Sequence, residues 1–421
     1  MTKQNIDNII NNAKKIGVDC QINFIQTFHD LLSIENNEIK DFSRGNNTRI
    51  VVKVWIGKKQ GSVQSSKIEN EMISRAIKIA KSSKDREYFH GLPEKQSYQK
   101  IIPDMKIINL QDEDFVKYGK EIIKDGKDNY VSVSSAYVER IIEKRIVANT
   151  NGVFANNNTA TFSCSVACVS KDKKASFNES FNEPFFVDCD GISGAVKKKV
   201  WEFSKAQSIK QIGIKKNLPI ILKTEPLSYL LQYAFLENLN GYNYEKQKSC
   251  FIGKIGQKIL SNINIWDDGT LQKGLNTDGF DSEGVKRKKT TLFDNGVLKN
   301  LAYDYNTAKN NGKESTGNSG LSGIEFSNIV IDGPKGNIDK AFVIETIMGA
   351  HTSNYLTTDF SLRAEHAYYY NKGKFTPLKS FMIAGNLVNA LGNVIFVGKE
   401  QVHKNGVYSG DICCENINVV Q

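Results

Sequence analysis

The sequence predicts an α+β protein made of three units. A small unit with helices and an antiparallel sheet comes first, a middle α/β unit follows, and a largely β domain forms the C-terminal half. Three observations support this division: a few segments carry apolar residues at helical spacing, most others alternate as strands do, and Gly-marked turns accumulate after about residue 250. We place the boundaries at residues 1–90, a linker at 91–105, a middle domain at 106–215 and a C-terminal domain at 216–421.

The first unit opens with an amphipathic helix. Ile6, Ile9, Ile10 and Ala13 share one helical face, and Gly17 stands where a helix C-cap is expected. Three strands are predicted next, at residues 21–32, 38–42 and 49–56. A second helix follows, with an apolar face between residues 68 and 80. The composition then becomes polar, which indicates the linker.

The middle and C-terminal units also alternate between helical and strand patterns. In the middle unit we predict a helix at 112–124, strands at 131–139, 141–148 and 162–168, and a helix at 192–206. A strand at 219–223 then leads into an apolar helix from Leu227 to about Leu239, with Pro226 in its first turn. Further strands are predicted at 290–293, 342–348, 367–370, 381–384 and 394–397.

The composition indicates a folded protein of the cytoplasm. Of 421 residues, 40% are hydrophobic and 24% charged, close to the averages for globular proteins. The first thirty residues lack a basic stretch followed by an apolar run, and no segment has about 18 uninterrupted apolar residues. The seven cysteines are odd in number and irregularly spaced. Cys164 and Cys168 lie too far apart on one strand for a disulfide.

The net charge of +10 raises the question of a nucleic-acid partner. Only eight of the 56 basic residues are Arg, whereas specific phosphate and base contacts favour Arg. The lysines come largely in short runs such as 197–199 and 286–289, which we interpret as solvated faces. Nucleic-acid binding is therefore not expected.

The chain contains several distinct motifs in a characteristic order. The central ones are Trp266-Asp-Asp-Gly-Thr-Leu271, Phe280-Asp-Ser-Glu-Gly-Val285, Leu292-Phe-Asp-Asn-Gly-Val-Leu298 and Ser315-Thr-Gly-Asn318. Ala148-Asn-Thr-Asn-Gly152, Thr358-Asp-Phe-Ser361, Ile383-Ala-Gly-Asn386 and Val397-Gly398 accompany them. With these motifs the chain resembles the TldD/PmbA family of peptidases over nearly its whole length.

The resemblance implies one of two kinds of subunit. In the TldD kind, a His-Glu-x-x-x-His helix holds zinc, with a further Cys ligand late in the chain, and its Glu activates the metal-bound water. The TldE or PmbA kind lacks these groups and associates with the first. Here the aligned helix has Gln232 for the first His, Tyr233 for the Glu and Glu237 for the second His. Gln is a weak zinc ligand and Tyr a poor base near neutral pH.

The resemblance therefore implies a TldE/PmbA-type subunit with no catalytic residue and no metal of its own. The same resemblance implies that it pairs with a TldD-like zinc peptidase subunit and that the pair handles peptides and unfolded polypeptides. No other part of the sequence restores a metal site, because the five histidines are isolated. Cys413 and Cys414 fall in a strand-like run, where neighbours face opposite sides.

A block of acidic and glycine residues forms part of the family resemblance. It comprises Asp268, Gly269, Thr270, Asp281, Glu283 and Gly284, together with Asp267 and Asp278. Its spacing does not fit a calcium loop. We interpret these residues as turn-forming and expect the block to border a peptide channel.

Two other functions remain open on the sequence. One is an autonomous metal-dependent hydrolase that uses Glu237 with a His or Cys from elsewhere. The other is a non-enzymatic homodimer or nucleic-acid-binding protein, which only the positive charge favours.

Overall fold

The computed structural model describes residues 2–69, 71–213 and 217–420. In its first half the elements are α1 (Thr2–Ile16), β1 (Asp19–Glu35), β2 (Glu38–Ile56), β3 (Lys59–Ser65), α2 (Met72–Ser82), α3 (Met105–Ile108), α4 (Asp112–Gly126), β4 (Val131–Asn149), β5 (Phe154–Ser170), β6 (Ser176–Glu183), α5 (Ile192–Phe203) and α6 (Ile209–Ile212). None of the helices among these described residues is long and apolar enough to cross a membrane.

The second half is mainly β. Its helices are α7 (Thr224–Ala234), α8 (Gly241–Glu245), α9 (Tyr305–Asn310) and α10 (Leu387–Leu391), with short 3-10 turns at Leu236–Leu239 and Ala350–Thr352. Its strands are β7 (Ile220–Leu222), β8 (Asn264–Asp268), β9 (Lys289–Asp294), β10 (Val297–Leu298), β11 (Ile329–Asp332), β12 (Lys340–Met348), β13 (Asp359–Asn371), β14 (Lys374–Leu378), β15 (Phe381–Asn386), β16 (Val394–Val397), β17 (Val402–Lys404), β18 (Val407–Ser409), β19 (Ile412–Cys414) and β20 (Ile417–Val420). The predicted α+β class with a largely β C-terminal part is confirmed.

One antiparallel sheet joins the first two predicted units. Its strand order is β3-β2-β1-β4-β5-β6, so β1 pairs with β2 on one side and with β4 on the other. The predicted domain boundaries stay predictions, but the strands on both sides of the linker share this sheet. The sheet is the scaffold on which both halves of the molecule meet.

The two faces of this sheet differ in what covers them. Ile22 and Leu32 lie on the same face of β1, because their positions differ by an even number. Around Ile22, α1 and α2 form one core, and around Leu32, α4 and α5 form another. The opposite face meets the C-terminal half, as the bond from Gln21 Nε2 to the Ser282 carbonyl shows at 2.9 Å.

Two long strands correct the sequence prediction of shorter ones. The predicted strands at 38–42 and 49–56 are one strand, β2, and those at 131–139 and 141–148 are one strand, β4. In β2 the polar residues 43–48 pair with β1 through their backbones, with Ser43 opposite Leu31 and Thr48 opposite Gln26. Backbone pairing needs no apolar side chain, so the polar stretch did not end the strand.

Two further sheets and α7 enclose the C-terminal core. The orders are β10-β9-β8-β11-β18-β17 in one sheet and β16-β19-β7-β12-β13-β15-β20 in the other, where β14 pairs with β13. Leu227 and Leu230 of α7 are fully buried in a core that includes Ile265 of β8 and Phe342 of β12. This packing fixes the position of α7.

Candidate functional site

The helix that carries the aligned metal positions is broken. The sequence predicted one helix to about Leu239, but α7 ends at Ala234 and a 3-10 turn covers Leu236–Leu239. Phe235 between them has φ −132° and ψ −53°, outside the helical region. Its ring is fully buried beside Phe251 and Phe293, at centroid distances of 5.7 and 6.0 Å. The helix therefore ends where this ring enters the C-terminal core.

The break brings two of the three aligned positions to one cavity. In an unbroken helix, residues five apart point about 140° away from each other. Of the described residues, the cavity wall includes Gln232 and Glu237 but not Tyr233, which is 40% exposed. The three positions aligned with the zinc motif therefore do not all belong to one site.

The cavity has a volume of about 720 Å³ and lies between the open face of the first sheet and the C-terminal half. That volume is within the range of pockets that bind small molecules. Its charged lining residues are Glu143, Arg145, Glu237, Asp278, Arg287 and Glu325. Apolar and uncharged polar groups line the rest, among them Tyr229, Leu236, Thr277, Phe326, Ser327 and Val407.

An ion pair across the cavity joins the two halves of the molecule. Arg145 Nη1 of β4 lies 2.6 Å from Asp278 Oδ2, and Asn157 Nδ2 of β5 donates to Asp278 Oδ1 at 2.9 Å. Glu143 is also on β4, and its carboxylate lies 3.8 Å from Arg145 Nε. Burial raises the pKa of Glu143, and Arg145 opposes this effect. Arg145 and Asp278 thus neutralise each other.

Two family models match the chain. Residues 20–81 match PmbA/TldA metallopeptidase domain 1, and residues 215–421 match the PmbA/TldA metallopeptidase C-terminal domain. Together the two matches cover more than half of the sequence, including nearly all of β1, β2 and β3 of the first sheet and the cavity helix α7. The chain belongs to the PmbA/TldD family.

Relatives and solved structures agree with this assignment. This PmbA/TldD-family protein is 29% identical to an uncharacterized protein of Methanocaldococcus jannaschii, over 91% of this chain and 92% of that one. It is 23% identical to the metalloprotease PmbA homolog of Buchnera aphidicola, over 98% and 96%. TldE from Thermococcus kodakarensis superposes with a TM-score of 0.91 at 25% identity, over 99% of this chain and 100% of that one.

The residues present in this family member do not fit a zinc site of the His-Glu-x-x-x-His kind. Glu237 is the one zinc-binding side chain at the three aligned positions, and its Oε2 accepts a hydrogen bond from Asn243 Nδ2 at 2.6 Å. Across residues 2–69, 71–213 and 217–420, no three His, Cys, Asp or Glu side chains are grouped to hold a metal.

The histidines and late cysteines lie away from the cavity wall. His29 contacts Glu139 at 2.7 Å, and His403 contacts Glu183 at 2.8 Å. Cys413 and Cys414 of β19 are both buried, and burial raises the pKa of the Cys413 thiol to about 12. Neither thiol is among the residues that line the cavity.

The acidic block mainly stabilises loops. Asp268 accepts from the backbone and hydroxyl of Thr270, at 2.9 and 2.7 Å. Asp281 accepts from the backbone nitrogens of Glu283, Val285 and Ser319, at 2.9, 2.9 and 3.0 Å. The bonds from Thr270 to Asp268 and from Glu283 and Val285 to Asp281 are local, as in turns, whereas the bond from Ser319 connects Asp281 to a distant loop.

The remaining block residues occupy several places. Thr270 lines a neighbouring pocket, Glu283 lines a separate cavity beside Lys53, and Asp278 lines the main one. Gly284 has φ +80°, and a Cβ there would lie 2.5 Å from Val153. A Cβ on Gly269 would lie 2.8 Å from the Arg287 side chain. That the block borders a peptide channel stays a prediction.

Sequence reasoning missed four charged residues of the cavity, namely Glu143, Arg145, Arg287 and Glu325. Glu143 and Arg145 belong to a strand with no motif, and their position follows only from the pairing of β4 with β1 and β5. Arg287 lies within the basic run 286–289, which we predicted to be solvated. The three lysines of that run are exposed, but Arg287 is only 7% exposed. The available sequence signal for a buried residue in this run was that position 287 is an Arg between lysines.

Proposed function

We propose that this chain is a zinc-free subunit of a cytoplasmic peptidase. In this proposal it pairs with a TldD-like subunit that carries the zinc, and the pair degrades peptides and unfolded polypeptides. The chain contributes part of the chamber wall and holds peptide near the active partner. Relatives named as metalloprotease homologs of both the PmbA and the TldD kinds support the general class.

One observation carries the proposal. The two aligned metal positions that line the cavity are occupied by Gln232 and Glu237, and Tyr233 replaces the catalytic Glu outside it. In this proposal the helix and its cavity serve peptide binding, while the aligned positions lack the residues that activate water in the TldD kind. Such a site suits binding of a peptide and not its hydrolysis.

The test is to purify the chain alone and together with a His-Glu-x-x-x-His subunit from the same host. We expect the lone chain to hold no stoichiometric zinc and to cleave no peptide. We expect the pair to hold one zinc per heterodimer and to be active. Replacing the motif Glu by Gln in the partner is the control, and it should abolish activity without separating the subunits.

The opposite result would support the autonomous hydrolase. In that case the lone chain would bind zinc tightly and cleave peptides, and Glu237→Ala would remove both properties. A lone chain that neither binds a TldD-like subunit nor changes that subunit's activity would also contradict the proposal.

A further inference from the structure

A second cavity lies between the first sheet and the C-terminal half, and its volume is about 590 Å³. Strands β1, β2 and β3 contribute to one wall, and the segment after α2, the helices α8 and α9 and loops of the C-terminal half form the others. No described residue lines both this cavity and the one that contains Gln232 and Glu237. The second cavity is therefore a separate candidate site.

Two cations on the wall of the second cavity have no carboxylate partner. Lys53 Nζ of β2 donates to the Leu321 carbonyl at 3.1 Å, and Arg86 Nη1 donates to Gln60 Oε1. Neither cation forms an ion pair with a carboxylate of residues 2–69, 71–213 or 217–420. Burial lowers the pKa of Lys53, and the charge of Arg86 adds to that effect. An anion between the two side chains would stabilise both charges.

Three acidic side chains line the same cavity, but they offset the two cations only in part at pH 7. Glu87 pairs with Lys246, and its side chain is 67% exposed, so that water screens its charge. Burial, together with nearby acids, raises the pKa of Glu283 to about 8, so this side chain keeps its proton. Asp304 remains as a negative charge on the inner wall. One positive charge is therefore left without compensation.

Aromatic rings form another part of the wall. Trp55 and Phe89 stack with their ring centroids 5.1 Å apart and their planes at 6°. Tyr88 and Tyr242 also line the cavity. Such rings bury a large apolar area and pack well against another ring. The cavity thus offers an apolar surface beside an uncompensated positive charge.

We propose that the second cavity binds a small organic acid that carries an aromatic ring. Lys53 and Arg86 bind its carboxylate through charge-assisted hydrogen bonds, and the ring packs on the aromatic wall. The single charge of a carboxylate matches the charge left on the wall. A phosphate monoester carries nearly two charges at pH 7, and Asp304 would repel the second. This site does not depend on the pairing with a TldD-like subunit.

The experiment is a calorimetric titration of the chain with phenylacetate at pH 7 and low salt. We expect a Kd of about 1 mM or tighter, which is typical of a ligand with about ten non-hydrogen atoms. Phenylacetamide has the same size and ring without the charge and should bind at least tenfold more weakly. Because neither a partner subunit nor hydrolysis is involved, a failure here is distinguishable from a failure of the subunit proposal.

Substitutions of the two cations locate the binding site. Lys53→Met should abolish the discrimination between phenylacetate and phenylacetamide, while Lys40→Met, the same loss of charge at an exposed position of the same strand, should keep it. Arg86→Met should weaken phenylacetate binding several-fold, and Arg86→Lys should restore most of it. Since Arg86 is exposed, this pair tests the proposal even if Lys53→Met does not fold.

Three results would overturn the proposal. The first is no binding of phenylacetate to the unaltered chain. The second is equal binding of phenylacetate and phenylacetamide. The third is discrimination that neither Lys53→Met nor Arg86→Met changes, because the carboxylate would then bind elsewhere on the chain.

Discussion

Glu283 is a carboxylate that the fold places close to two others. Burial, together with the nearby charges of Asp304 and Asp281, raises its pKa to about 8, although the Tyr305 backbone nitrogen and Lys53 oppose the rise. The Tyr305 nitrogen donates to Glu283 Oε2 at 2.8 Å. The folded chain therefore binds a proton at Glu283 more tightly than the unfolded chain does.

This raised pKa predicts a stability that falls as pH rises. Above the ordinary Glu pKa of 4.5 the unfolded state has lost its proton, while the folded state keeps it up to about pH 8. The free energy of unfolding should therefore decrease between about pH 5 and pH 8 and then level off. Urea unfolding across this range measures the effect.

Glu283→Gln should flatten that part of the pH profile, because the amide does not titrate. Glu314→Gln, at an exposed position, is the matched control and should leave the slope unchanged. An identical slope in Glu283→Gln and the unaltered chain would contradict the pKa assignment.

At the scale of elements, sequence patterns located most helices and strands but not their ends. The helix α4 was predicted at 112–124 and spans Asp112–Gly126, since its apolar residues repeat clearly. The stop of α7 was missed, because no Gly or Pro marks it. There the Phe235 ring lies between aromatic neighbours from distant parts of the chain, a tertiary contact that a single sequence does not reveal.

The break in α7 predicts which positions can be turned into a metal site. Gln232→His with Glu237→His places two imidazoles on the wall of one cavity, so we expect zinc to bind at least tenfold more tightly than to the unaltered chain. Tyr233→His with Glu237→His is the control, because it also introduces two imidazoles and removes Glu237, but places one imidazole at position 233, outside that wall. Competition with a chromogenic zinc chelator gives both affinities.

Equal zinc affinity of the two double variants would show that the break does not bring 232 and 237 together. Hydrolysis is not expected in either variant, because neither introduces the Glu that activates water.

At the scale of the molecule, the cavity exists because distant parts of the chain meet. Arg145 and Asp278 are 133 positions apart, and Asn157 and Asp278 are 121 apart. The motifs around Asp278 indicated the family and a position beside a peptide channel. A single sequence, however, has no signal that pairs Asp278 with Arg145. The Arg145 side chain points toward the C-terminal half because of the register in which β4 pairs with β1 and β5.

The Arg145–Asp278 pair should therefore couple the stability of the two halves. The side chains are 18% and 6% exposed, so Arg145→Met leaves a buried carboxylate without its counter-ion and should cost about 3–5 kcal/mol. Arg145→Met with Asp278→Asn should cost less than the sum of the single changes, because the unpaired charge is then gone.

Urea unfolding followed by tryptophan fluorescence measures the free energy of unfolding of each variant. Arg49→Met, at an exposed side chain that donates to Gln64 Oε1, is the control and should change stability by less than about 0.5 kcal/mol. Additive costs for the Arg145 and Asp278 changes would mean that the pair does not hold the halves together.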